Sequence, residues 1–143
     1  RPRDEMRRDL RERIDQGMDA WRIRSDIARN NFVADSGFTP EQAAQFDVLM
    51  KAMNIRLKDR LTKFADTVKA GEKLTPESGA RVIHDLSGIV VLTYDEMDRT
   101  LPTTWRATGS KRLDLADMVE PTVAEPLIDI EKDIQRAEQE RRR

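Results

Sequence analysis

Apolar residues recur at three- and four-residue steps through most of the chain, the spacing that lines one face of an α-helix. The cleanest run is Phe46, Leu49, Met53, Leu57, Leu61, Phe64 and Val68, with Ala43, Ala44, Ala52 and Ala65 beside it. It predicts a helix from Pro40 to Ala70. Thr39 and Gln42 have the spacing of a capping box in front of it, Phe38 is placed to staple against Ala43, and Gly71 is placed to close it. A thinner stripe of Met6, Leu10, Ile14, Met18 and Trp21, continued by Ala28 and Phe32, predicts a first helix from about Asp4 to Ala34. Asn30-Asn31 and the run from Ala34 to Gly37 supply its stop and turn.

A second Thr-Pro-Glu, at Thr75-Pro76-Glu77, opens a third helix expected to reach about Arg99 and to return antiparallel after the short Gly71–Leu74 loop. Val82, Ile83, Leu86, Ile89, Val90, Val91 and Leu92 make it apolar around more of its circumference, so it is expected to be the central element. The segment from Leu101 to Ser110 reads as an irregular connection. A short helix over about 112–119 and a last helix carrying Leu127, Ile130 and Ile134 follow, with Pro121 and Pro126 forbidding one smooth helix between them. Past Gln135 only Ala137 is apolar, which predicts a frayed tail over 136–143. The sum is one all-α domain over 1–143, a bundle of about four principal helices with a long charged first helix whose residues 1–20 project or dimerise. The two Thr-Pro-Glu segments share only their caps, so they are not read as structural repeats.

Composition sharpens this picture. Charged residues are 37% of the chain and hydrophobic residues 38%, the profile of amphipathic helices with charge-laced outer faces. A formal net charge of -1 provides no field to draw the protein to nucleic acid. The acids concentrate at Asp114, Asp117, Glu120, Glu125, Asp129, Glu131 and Asp133, while both ends are rich in arginine, an arrangement that can pair within or between chains. Cysteine is absent, which removes disulfides and thiolate chemistry. The opening Arg1-Pro2-Arg3 is not a translation start, so a signal peptide or membrane anchor upstream fits the sequence.

Candidate chemistry is sparse. His84 is the only histidine and its i±4 neighbours, Ala80 and Gly88, provide neither a nucleophile nor an orienting carboxylate. One histidine and no cysteine fall short of a di-iron or structural zinc set, and the six methionines are spread over at least four elements, four of them on or beside apolar stripes, rather than converging as soft ligands. Hard-cation binding by Asp114, Asp117, Glu120 or Asp129 stays open. No phosphate-binding loop or nucleophile elbow occurs. The expectation is a protein that is not an enzyme and has no cofactor or metal. Trp105 stands in the polar connection beside Arg106, where periodicity does not require burial. It is either a plug over the end of the bundle or an exposed partner contact.

The segments Phe38-Thr39-Pro40-Glu41-Gln42 and Leu74-Thr75-Pro76-Glu77-Ser78 resemble the LTxxQ motif of small periplasmic helical proteins of the Spy and CpxP type. The resemblance implies a cofactor-free helical dimer in the periplasm that binds clients or a sensor partner. With the residues it supports a non-enzymatic, extracytoplasmic protein-binding domain, chaperone-like or stress-regulatory. Met6, Leu10, Ile14 and Met18 are its expected self-association seam, and Trp105 and Arg106 its expected contacts. The alternative is a ligand- or cation-sensing domain of a membrane-anchored regulator.

Overall fold

The structure, a computed structural model, describes residues 2–108 and 113–142. Five helices occur, α1 (Pro2–Ser36), α2 (Pro40–Lys69), α3 (Pro76–Thr100), α4 (Thr104–Thr108) and α5 (Glu125–Arg141), with 3-10 turns at Leu115–Met118 and Pro121–Ala124 between the last two. Four of the helices are long and there is no strand among the described residues, so the chain is an all-α bundle.

The helix boundaries follow from local chemistry. The Thr39 hydroxyl accepts from the Gln42 amide at 3.2 Å while the Gln42 side chain accepts from the Thr39 amide at 3.0 Å, which completes the expected capping box. Thr75 and Ser78 build a second box in the same way, at 3.1 and 2.9 Å. Gly37 and Gly71 take positive φ values of 66° and 79°, where a side chain would be strained. They close α1 and α2 with back-bonds from Phe38 to the Val33 carbonyl and from Glu72 to the Thr67 carbonyl. α1 therefore passes through Asn30-Asn31 without a break.

The central element is α2, and the expectation that α3 would be central is corrected. α2 buries eight residues, among them Phe46, Met53, Leu57 and Leu61, whereas α3 buries only Thr93 and Met97. α2 is flanked by α3 on one side and α5 on another, with the second 3-10 turn against it as well. α3 spends one face on α2, which leaves Ile83 67% and Val91 58% exposed. Ion pairs set the directions: Arg56–Glu96 and Arg60–Asp85 make α3 antiparallel to α2, and Lys58–Glu125 with Lys69–Asp133 make α5 parallel to it. α5 remains helical to Arg141, past the expected fraying point.

α1 crosses the top of this assembly. Phe32 lies 4.9 Å from Phe46, edge-on to Phe38 at 5.6 Å and to Trp105 at 6.3 Å, so the ring of Phe38 packs on the ends of both helices. Each such pair adds about 0.5–1.5 kcal/mol beyond the area it buries. The connection expected to be irregular contains α4, and Ser110 and Arg112 lie outside the described residues. Beyond it, Asp114 caps the first 3-10 turn by accepting from the Ala116 amide at 2.9 Å.

The strap Met118-Val119-Glu120 joins the layers. Asn54, 5% exposed, donates to the carbonyls of Met50 and Met118 and accepts from the Glu120 amide at 2.7 Å. From the other side the Trp21 indole and the Ser25 hydroxyl both donate to the Val119 carbonyl, at 2.7 and 3.2 Å. Asn54→Ala strands Met118 O and Glu120 N, each a loss of about 1–3 kcal/mol. The expected destabilisation is about 2–4 kcal/mol by urea titration, while Ile55→Ala next to it, on the exposed face, shifts stability by less than about 0.5 kcal/mol.

Candidate binding surfaces

The α1 stripe is buried only where the helix crosses the bundle. Ser25, Phe32 and Ser36 are the buried residues of α1, and none occurs from Pro2 to Ala20. Ile14 and Met18 are half-buried, and exposure rises to 44% at Leu10 and 68% at Met6. These four positions share the face that is buried further along. Opposite Met6 and Leu10 stands the end of α5, across an open groove of about 1420 Å³ whose walls include Arg7, Arg13, Gln135 and Gln139. Arg7 meets the side-chain amide of Gln139 across it. The two helix ends thus form a pair that holds exposed apolar side chains among arginines and acids.

Trp105 takes the other position that the sequence left open. It is 1% exposed, covered by Phe32 on one side, and its indole nitrogen has no hydrogen-bond partner among the described residues. It is a plug in the core and presents no surface to a partner, which corrects its assignment as a contact. Periodicity could not reveal this, because a five-residue helix is too short to show an apolar stripe. Arg106 lies over the Trp105 ring, its guanidinium carbon 4.6 Å from the centroid. Its Nε and Nη2 donate to both oxygens of Asp98 at 2.6 and 2.7 Å, a forked geometry that fixes the side chain as a cover on the plug.

The acidic residues do not converge. Glu125 and Asp133 pair with Lys58 and Lys69 of α2, and Asp114 is engaged in capping. Among the described residues no three of His, Asp and Glu are grouped to hold a metal ion. His84 is exposed on α3 and Met50, Met53, Met97 and Met118 are core residues. No described helix is long and apolar enough to cross a membrane.

A second groove, of about 840 Å³, runs between α1 and the first 3-10 turn. Trp21, Ile27, Ala28 and Phe32 form one side, Leu113, Ala116 and Met118 the other, and Asp35, Asp114 and Asp117 stand among them. Nothing in the sequence marked it, since its walls are about 90 residues apart along the chain and are brought together by the tertiary fold. The one available signal was Ile27, an apolar residue off the buried stripe of α1 that remains 54% exposed.

No protein-family model, curated protein or solved structure matches the chain. The geometry of its surfaces is therefore the ground for any functional reading.

Among the described residues three ion pairs perturb titration, Arg29–Asp47 among them, where the hydrogen bond to Asp47 raises the Arg29 guanidinium. The hydrogen bonds from Arg106 hold the Asp98 carboxyl below the usual carboxylate range, and the same contact raises the Arg106 guanidinium. The hydrogen bond from Arg60 depresses Asp85 likewise. For a depressed carboxylate the contribution to stability is present above its unfolded pKa, about 3.9 for aspartate, and is lost as pH falls through the folded value. In an NMR titration Asp98 should protonate below that reference, and Arg106→Gln should move its midpoint upward while leaving Asp85 in place.

Proposed function

We propose that the protein is a non-enzymatic helical domain that binds protein partners and associates with itself through the projecting end of α1. The observation that carries this reading is one apolar stripe, Met6, Leu10, Ile14 and Met18, of which Ile14 and Met18 are only half-buried and Leu10 and Met6 are exposed. Burying apolar surface yields about 25 cal/mol per Å², and these side chains share one face of α1, so a partner helix that covers the stripe gains that free energy less the cost of ordering the helix end. A second copy presents the same stripe and closes the contact with two-fold symmetry. The end of α5 borders the same groove through Gln135, Arg136, Glu138 and Gln139.

An extracytoplasmic location and a chaperone-like or stress-regulatory role belong to this proposal through the resemblance of the two Thr-Pro-Glu segments to the LTxxQ motif. Those segments act in the fold as capping boxes. The surface that would hold clients is the α1–α5 groove, where apolar side chains alternate with both signs of charge, a combination suited to unfolded segments of varied sequence.

Sedimentation of the wild-type protein should give the mass of a dimer, and Met6→Asp with Leu10→Asp should give a monomer with its helical circular dichroism retained. The same pair of substitutions should abolish suppression of aggregation of an unrelated unfolding protein. A wild-type monomer removes self-association from the proposal, and unchanged suppression in the variant removes the groove as the client surface.

A further inference from the structure

We propose that the groove between α1 and the first 3-10 turn docks a basic amphipathic helix of a partner protein. This rests on the reading of the chain as a protein-binding domain and assigns it a second surface, remote from the projecting end of α1.

The walls are in place before any ligand arrives. Trp21 and Ser25 hold the Val119 carbonyl, Asn54 holds Met118 and Glu120, and the Tyr94 hydroxyl contacts the Leu113 carbonyl and the Leu115 amide at 3.3 Å. Main-chain groups of the turn are thereby satisfied inside the protein, so what remains for a ligand is side-chain surface. That surface, the floor of the groove, is the half-buried Ala28 and exposed Ile27 of α1, backed by the largely buried Leu113 and Met118.

Charge selects the occupant. Asp35 rises from α1, while Asp114 and Asp117 rise from the opposite wall, so carboxylates flank the floor on both sides. None of the three forms an ion pair among the described residues, and Arg24 is the one cation in the described lining. A phosphate or nucleic-acid backbone meets repulsion here. A metal ion is disfavoured because no three acids converge. The groove is partly open rather than enclosed, which suits a helix laid against it better than a small molecule sealed within it. A helix with Leu or Met at i, i+3, i+4 and i+7 fills the floor, and Lys or Arg flanking that stripe meets the acids on the two walls.

The test is calorimetric titration of the full chain with three short synthetic helices sharing one leucine stripe, with Lys, Gln or Glu at the flanking positions. The Lys helix should bind, the Glu helix should not, and the Gln helix should be weaker. Asp35→Asn with Asp117→Asn, both exposed and outside any hydrogen bond that builds the fold, should weaken the Lys helix by about tenfold, consistent with two solvent-exposed charge contacts. Ile27→Ala should weaken it also. Equal binding of the Lys and Gln helices, or full affinity in the double Asn variant, overturns the proposal. Titration of the Met6→Asp, Leu10→Asp protein separates the two surfaces: undiminished binding there keeps the groove site even if the seam reading has failed, and lost binding overturns the groove site. If the double Asn variant instead turns a wild-type dimer into a monomer, the occupant is the arginine-rich end of α1 from a second copy, and the partner-helix proposal falls.

Discussion

Three consecutive residues, Met118, Val119 and Glu120, hold the two halves of this fold together. They run from the last residue of one 3-10 turn to the residue before the next, so their backbone groups have no regular ladder to join, and burial without partners would cost the full desolvation of each. Asn54 from α2 and the Trp21–Ser25 pair from α1 satisfy them from opposite sides. One side-chain amide spends both its N–H donors on carbonyls, 4 and 64 residues away in sequence, and its oxygen accepts from one backbone amide. The contact of α1 with the body runs largely through this strap, α4 and the aromatic cluster at Phe32. No residue from Pro2 to Ala20 is buried, and only Arg7, Ile14 and Met18 there are half-buried.

That arrangement explains why α2 and not α3 is central. Hydrophobicity around a helix reports how much apolar surface exists, not how many neighbours arrive to cover it. α2 has alanines at 43, 52 and 65 and methionines at 50 and 53, which let helices approach and fill irregular gaps, and it receives α3, α5 and the second 3-10 turn. α3 is more apolar in sequence, yet its partners occupy one side only, and Ile83 and Val91 remain in solvent. Thr93 illustrates the same economy: it is fully buried and turns its hydroxyl back to the Ile89 carbonyl at 2.8 Å, so a polar residue is tolerated at the α2–α3 contact.

Much of the architecture was legible in the sequence because its boundaries are local. Thr39 with Gln42 and the glycines at 37 and 71 act within a few residues, and their geometry is what the letters imply. The box at Thr75 was harder to see, because Ser78 stands where Glu or Gln is the usual sign, yet its hydroxyl reaches the Thr75 amide equally well. The surfaces were less legible. The stripe Met6, Leu10, Ile14 and Met18 was visible, and its increasing exposure toward the N-terminus was not, since exposure depends on where the strap anchors α1. Trp105 was visible as an exception to periodicity, but its burial depends on Phe32, 73 positions earlier in the chain. The groove beside Ile27 was invisible for the same reason.

The end of α5 shows what an incompletely covered helix implies. After Ile134 its only apolar residue is Ala137, and its side chains are otherwise charged or amide-bearing, so packing contributes little to keeping it helical. Residual support comes from helix propensity and from charge pairs at three- and four-residue spacing, each worth a few tenths of a kcal/mol, which is marginal for a segment of this length. The first turns of α1 are built in the same way and touch α5 through Arg7 and Gln139. Two marginal helices side by side around Met6 and Leu10 gain more from a common partner than from each other, because any helix that covers those side chains also removes water from the hydrogen bonds of both. In the proposed binding, order in the pair of helix ends and occupancy of its groove are therefore linked: a partner seated there stabilises the ends of α1 and α5 together.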